Sequence, residues 1–270
     1  MLLKKLVFFG GKGGVGKSTL SCATALRLSE RGKTLLVSVD PAHSLSGIWG
    51  VPIGETLKEI KEGLHAVEFS GEVLVEEYAR RVIKAVGELV PSVRSGMEEY
   101  VRYLKHSPTA LETAVLDRLA ELCNEYTYVV VDSAPTGQML RLFDTLHMVE
   151  GWFDFLYRLS RERHRVEKFM GREDKLLELI ESRRRKVQTL TNILKKKTVI
   201  FAVANEETLS FQESQTLARK LKDFKVQIVL NKWRRMTWEG PLVPTVENPY
   251  GVEGLSKLEV SPLIELIGED

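Results

Sequence analysis

The chain has 270 residues, 43% of them apolar and 28% charged, with a formal net charge of +2. That is enough apolar material for a substantial core, and too balanced a charge for a general polyanion binder. Two cysteines, Cys22 and Cys123, exclude a disulfide framework or a four-cysteine metal site within one chain, which fits a reducing, cytoplasmic setting.

The first apolar run, Leu6 to Phe9, passes straight into a glycine-rich stretch and reads as a first strand, not a signal peptide. No apolar run approaches the ~20 residues that a membrane helix needs. Residues 11 to 19 then read Gly11-Lys12-Gly13-Gly14-Val15-Gly16-Lys17-Ser18-Thr19. This is the Walker A pattern in its required context, after a strand and opening a helix. Its backbone N–H groups and the positive helix end suit a phosphate. Lys17 is expected to reach the β- and γ-phosphates of ATP, and the Ser18 hydroxyl to ligate Mg2+.

A helix is predicted from Ser18 to Arg31, with Leu20, Ala23, Leu26 and Leu28 on its buried side and Gly32 as its C-cap. The next strand, Thr34 to Val39, leads into Asp40-Pro41-Ala42-His43-Ser44. Far more than the ~30 residues of a simple βαβ unit separate Asp40 from Asp132. Most of that span is predicted helical, with one strand at His65 to Phe69. The strand Tyr128 to Val131 ends in Asp132-Ser133-Ala134-Pro135-Thr136-Gly137-Gln138.

Apolar positions Val166, Phe169, Leu176, Ile180, Val187, Leu190 and Leu194 continue a helical pattern begun near Leu140, with an expected break at Gly171. Strands follow at Val199 to Val203 and Gln227 to Leu230. Near-continuous apolar strands separated by helices predict an α/β fold, a doubly wound mainly parallel sheet with an inserted helical subdomain. The expected organisation is one P-loop domain over 1–270, with helical insertions at about 70–125 and 140–195.

Lys12 precedes the glycines as in the signature-lysine, or deviant Walker, class. Together with the segments beginning at Asp40 and Asp132, this loop resembles the arsenite-pump ATPase family, which also contains factors that target tail-anchored membrane proteins. The match is specific over roughly residues 5 to 48 and 126 to 150, and looser elsewhere. The resemblance implies a Mg-dependent ATPase working as a homodimer in ATP, with Lys12 of one subunit reaching the phosphates of the other. It implies that Asp40 orients the attacking water and that Asp132 holds a Mg2+-bound water. It also implies that Asn231 reads adenine from a strand end, with Pro244 beside the base. Arg234 breaks the GTP-selective Asn-Lys-x-Asp pattern.

Departures from the family pattern are equally specific. No Cys-x-x-Cys pair is available to staple a dimer through zinc, and two cysteines are too few for the metalloid site of the arsenite branch. Gln138 stands where the family has histidine, and Ser44 where it has asparagine.

Two further segments leave alternatives open. The run Met139 to Tyr157 is either a surface for an apolar client helix or ordinary core. Arg158 to Lys197 carries 14 Lys/Arg against 6 Asp/Glu, a local +8. Such a segment is either a solvated helix face or a contact for nucleic acid, anionic membrane or an acidic partner, as in a partition- or septum-positioning ATPase. A third function, an arsenite-pump subunit, is disfavoured by the missing cysteines.

Overall fold

The computed structural model describes residues 3–42, 44–89, 102, 109–133, 136–168 and 175–268. His43, Ala134, Pro135 and the expected break at Gly171 lie outside them. The chain forms two compact units, one of Met1–Ser70, Glu121–Leu140 and Ile193–Asp270, the other of Gly71–Ala120 and Arg141–Asn192.

The first unit contains the whole sheet. Its strands are β1 (Lys5–Gly11), β2 (Thr34–Ser38), β3 (Lys58–Lys61), β4 (Leu64–Glu68), β5 (Tyr128–Asp132), β6 (Thr198–Ala204), β7 (Lys225–Trp233) and β8 (Leu242–Pro244). Their order is β3-β4-β2-β5-β1-β6-β7-β8, and only β3 runs antiparallel to its neighbour. Inner strands of a parallel sheet are covered on both faces, so β1, β2, β5 and β6 are buried almost throughout. Strand β3, Lys-Glu-Ile-Lys, is an exposed charged edge and shows none of that apolar signal.

Helix α1 (Lys17–Ser29) follows β1 and is buried on more than the predicted stripe. Ser21, Cys22, Thr24 and Ala25 are buried too. The reason is a second cover: beyond the sheet, α1 also packs on α2 (Leu45–Trp49) and on the two helices that end the chain, Gly251–Ser256 and Ser261–Gly268. The expected C-cap at Gly32 is corrected. The helix stops at Glu30 in right-handed geometry, and Gly32 instead lets Thr127 pack where a Cβ would sit.

The second unit holds α3 (Gly71–Leu89), most of α4 (Ala110–Leu122), most of α5 (Thr136–Lys168) and most of α6 (Lys175–Lys197). Arginine–carboxylate pairs, partly exposed, tie these helices. Asp117 takes both Arg81 at 2.9 Å and Arg183 at 3.3 Å, Glu112 takes Arg141 at 3.0 Å, and Asp154 takes Arg184 at 2.6 Å. Along α5, Leu142, Phe143 and Leu146 are core, whereas Met148 and Phe155 are about half exposed. Seven residues apart, those two lie on one face of the helix. Among the described residues no helix is long and apolar enough to cross a membrane.

Candidate active site

Parallel register brings the sequence motifs to one edge. A single row across the sheet reads Glu68, Ser38, Asp132, Phe9 and Phe201, so the loops leaving β1, β2 and β5 begin side by side. Carboxyl ends of parallel strands are where open α/β sheets bind ligands.

The loop after β1 is shaped by backbone geometry and by side chains from β7. Gly16 caps α1 in left-handed geometry at φ 93°, and the amide of Asn231 occupies the space a Cβ would need. Asn231 donates through Nδ2 to the Val15 carbonyl at 2.8 Å, and the Lys232 ammonium donates to the Gly14 carbonyl at 3.0 Å. Across a trans peptide the carbonyl of one residue and the N–H of the next point opposite ways. The N–H groups of Val15 and Gly16 are therefore turned away from these two β7 side chains, as a phosphate cradle requires.

Lys232 reaches the loop because β7 bulges there. Its φ is 56°, and the pairing with β8 shifts register between Asn231 and Trp233. Strand β8 then puts Val243 opposite Asn231 and Pro244 opposite Trp233, so Asn231 and Pro244 come together on adjacent strands.

Lys17 is buried and donates to the Lys12 carbonyl at 3.2 Å. Burial pushes its ammonium below the usual value, against the pull of Asp132 and Asp40. Lys12 behaves differently. Its side chain is 35% exposed and its ammonium lies 3.6 Å from Glu207.

Gly11 lies against the Val203 carbonyl, Gly13 and Gly14 are exposed in the loop, and Thr19 is half-buried in the first turn of α1.

The two acids take distinct positions. Asp40 accepts the Ala42 N–H at 3.0 Å, and its own N–H faces Ser38 Oγ at 3.3 Å. Asp132 is fully buried, and burial lifts its carboxyl to about 7. The Ser18 hydroxyl, the Lys17 ammonium and the Ser38 hydroxyl oppose that rise, and Asp40 adds to it. Ser38 Oγ donates to Oδ2 at 3.4 Å, while Oδ1 is buried with no hydrogen-bond donor among the described residues. An orphaned carboxylate oxygen beside a serine hydroxyl at the start of α1 is chemistry suited to a water on a hard divalent cation.

Three contributors carried no signal in the motifs. Glu207 pairs with Lys12. Glu206 accepts the N–H groups of Arg234, Arg235 and Met236 at 2.7–2.9 Å, which hold its carboxyl at about 2. Lys232 depends on a bulge. The pair Leu230-Asn231 marked the position of β7, but nothing local marked its bulge.

A Walker loop between a central parallel strand and a buried helix, with one acid ending the adjacent strand β5 and another just past the next strand, β2, defines a P-loop nucleoside triphosphatase. The model of the family described as anion-transporting ATPase, ArsA_ATPase, matches residues 4–233, and the chain belongs to that family. A protein of Aquifex aeolicus (strain VF5) named "Putative arsenical pump-driving ATPase 2" is 34% identical over 240 residues, covering 84% of this chain and 80% of that one. The arsenical pump-driving ATPase of Escherichia coli is 34% identical over 160 residues, but the match covers 56% of this chain and only 26% of that one. The ATPase ASNA1 homolog 1 of Paramecium tetraurelia is 27% identical over 250 residues, 83% of this chain and 72% of that one. This chain is therefore an ATPase of the ArsA type, and it spans about a quarter of the Escherichia coli pump-driving protein.

Proposed function

We propose that the chain is a Mg2+-dependent ATPase that closes as a nucleotide-sandwiched homodimer and couples closure to binding of a hydrophobic client, such as the helix of a tail-anchored membrane protein. The observation that carries this is the division of labour between two lysines of one loop. Lys17 is buried in its own loop, whereas Lys12 is partly exposed beside Glu207. A partly exposed lysine can exchange Glu207 for the phosphates of a second copy, in the manner of an arginine finger.

Within one chain, Gly11 to Thr19 hold the phosphates, with Lys17 on the β- and γ-oxygens. Asp40, once released from the Ala42 N–H, orients the attacking water and accepts its proton. Ser18 would ligate Mg2+ and Asp132 would hold one of its waters, the ion supplying charge neutralisation on the phosphates. Asn231 and Pro244 form the adenine side, and Arg234 in place of aspartate favours ATP over GTP. Met148 and Phe155 on α5 are exposed apolar contacts for a client.

The test is co-purification of the Asp40→Asn protein, in ATP and Mg2+, with a substrate ending in one transmembrane helix. Capture that needs both ATP and the helix is the expected result. Capture that is indifferent to either removes the client role.

A second function, DNA or anionic-membrane binding, draws on Arg185, Lys186, Lys195 and Lys196, which are exposed on α6. It is weakened because Arg183 and Arg184 of the same run are paired inside the helical unit. Salt-sensitive binding to DNA or anionic liposomes in ATP would favour it over the client role.

A further inference from the structure

Glu68 ends β4 and is 3% exposed. A buried carboxylate is costly unless its oxygens are hydrogen-bonded. Its two oxygens are both engaged by one segment. Oε1 accepts the Leu45 N–H at 2.7 Å, and Oε2 accepts the Ser46 hydroxyl at 2.6 Å. Ser46 Oγ also accepts the Ile53 N–H and lies 2.9 Å from the Ile53 carbonyl. Leu45 opens α2, the helix that follows Asp40. The first N–H groups of a helix need partners from outside it. Ser44, the residue placed to supply one, makes no side-chain capping bond, and its hydroxyl is buried without a partner among the described residues. Glu68, from a different strand, does that work.

The other end of the same segment is held from the same row of the sheet. The Val39 N–H donates to the Asp132 carbonyl at 3.1 Å, and Ser38 Oγ accepts the Asp40 N–H at 3.3 Å. Ser38 sits between Glu68 and Asp132 in register. The chain between Asp40 and Leu45 is thus fastened at its start through Ser38 and Asp132, and at its finish through Glu68. A span so short, pinned at both ends, leaves Asp40 few places to be.

Resting on the assignment of Asp40 as the residue that orients water, we propose that Glu68 is a positioning residue for ATP hydrolysis. It fixes the far end of the Asp40 loop through Leu45 and Ser46, so its loss slows turnover and leaves nucleotide binding in place. Misplacing a reacting group by about 1 Å costs roughly 100-fold in rate.

The test compares Glu68→Ala, Glu68→Gln and Ser46→Ala, each alone and combined with Asp40→Asn. The measurements are kcat for ATP, affinity for a non-hydrolysable ATP analogue with Mg2+, and the melting temperature. Glu68→Ala is expected to lower kcat roughly 10- to 100-fold, with affinity for the analogue within about threefold of the parent. Ser46→Ala, which removes one hydroxyl and spares the fold, is expected to lower kcat by a smaller factor. Gln keeps an acceptor for the Leu45 N–H and can donate to Ser46 Oγ, so Glu68→Gln should restore kcat to within about threefold of the parent. In the Asp40→Asn background the Glu68 and Ser46 effects should vanish, because both act through Asp40.

Parallel loss of affinity and kcat, no rescue by Gln, or effects that persist in the Asp40→Asn background would overturn the proposal. If Glu68→Ala fails to fold, Ser46→Ala and Glu68→Gln decide it by the same criteria. Failure of the Asp40 assignment is read separately, from Asp40→Asn alone turning over at the parental rate.

Discussion

The sheet-bearing unit and the helical unit both bury charged side chains, but they pair them to different ends. In the sheet-bearing unit the polar groups converge on one strand edge. Lys17 and Asp132 lie close enough to shift each other's proton affinity, Asn231 and Lys232 hold the phosphate loop from behind, and Glu68 holds the loop after Asp40. In the helical unit the charges answer one another, Asp117 to Arg81 and Arg183, Glu112 to Arg141, Asp154 to Arg184. The Arg184 guanidinium also lies 4.4 Å over the Tyr157 ring. Net charge in the sequence is therefore a poor guide to what a surface offers. A part of the +8 segment is committed to holding its own helices together.

If the first pattern is catalytic and the second structural, substitutions in the two units must separate rate from stability. The largest effect is expected from Asp40→Asn, which should slow turnover by about two orders of magnitude or more while ATP binding persists. Equal loss of binding and turnover, by single-turnover hydrolysis and calorimetry, would make Asp40 structural.

Asp117→Asn should do the converse, lowering stability by about 1–3 kcal/mol through the weakened Arg81 and Arg183 pairs, with ATP affinity unchanged. Thermal unfolding with and without ATP checks it. The smallest effect concerns Glu206, whose carboxyl is held at about 2 by three backbone N–H groups, against the usual 4.5. A depressed carboxyl stabilises above its unfolded value and loses that contribution as pH falls through the folded one. The melting-temperature gap between the parent and Glu206→Gln should thus be full above pH 4.5 and close towards pH 2.

The candidate site was legible where covalent spacing alone decides the geometry. Gly11 to Thr19 and the acids Asp40 and Asp132 sit at fixed distances from strand ends, and parallel register does the rest. What was not legible depends on contacts between distant segments. Glu207 reaches Lys12, Lys232 needs a bulge, and Glu68 caps a helix from another strand. Strand β8 has three residues and a proline, too few to show alternation, and proline is tolerated at such an edge. The cover over α1 from the last two helices buried polar positions that a one-sided stripe leaves in water. The apolar run from Met139 divided in two: Leu142, Phe143 and Leu146 are buried, whereas Met148 and Phe155 are about half exposed.

The central claim is that Lys12 completes the site of a second copy, and complementation between two crippled chains tests it most directly. Lys12→Ala alone should lose roughly 100-fold or more in turnover, as the loss of a finger residue does. In a mixed dimer, the Lys12→Ala chain keeps its own Asp40 and receives Lys12 from an Asp40→Asn partner, so one of the two sites is whole. An equal mixture of the two variants should recover about a quarter of parental ATP turnover, since half of random pairs are mixed and each has one complete site. Turnover no higher than the two variants give separately would contradict the account and return Lys12 to the service of its own chain.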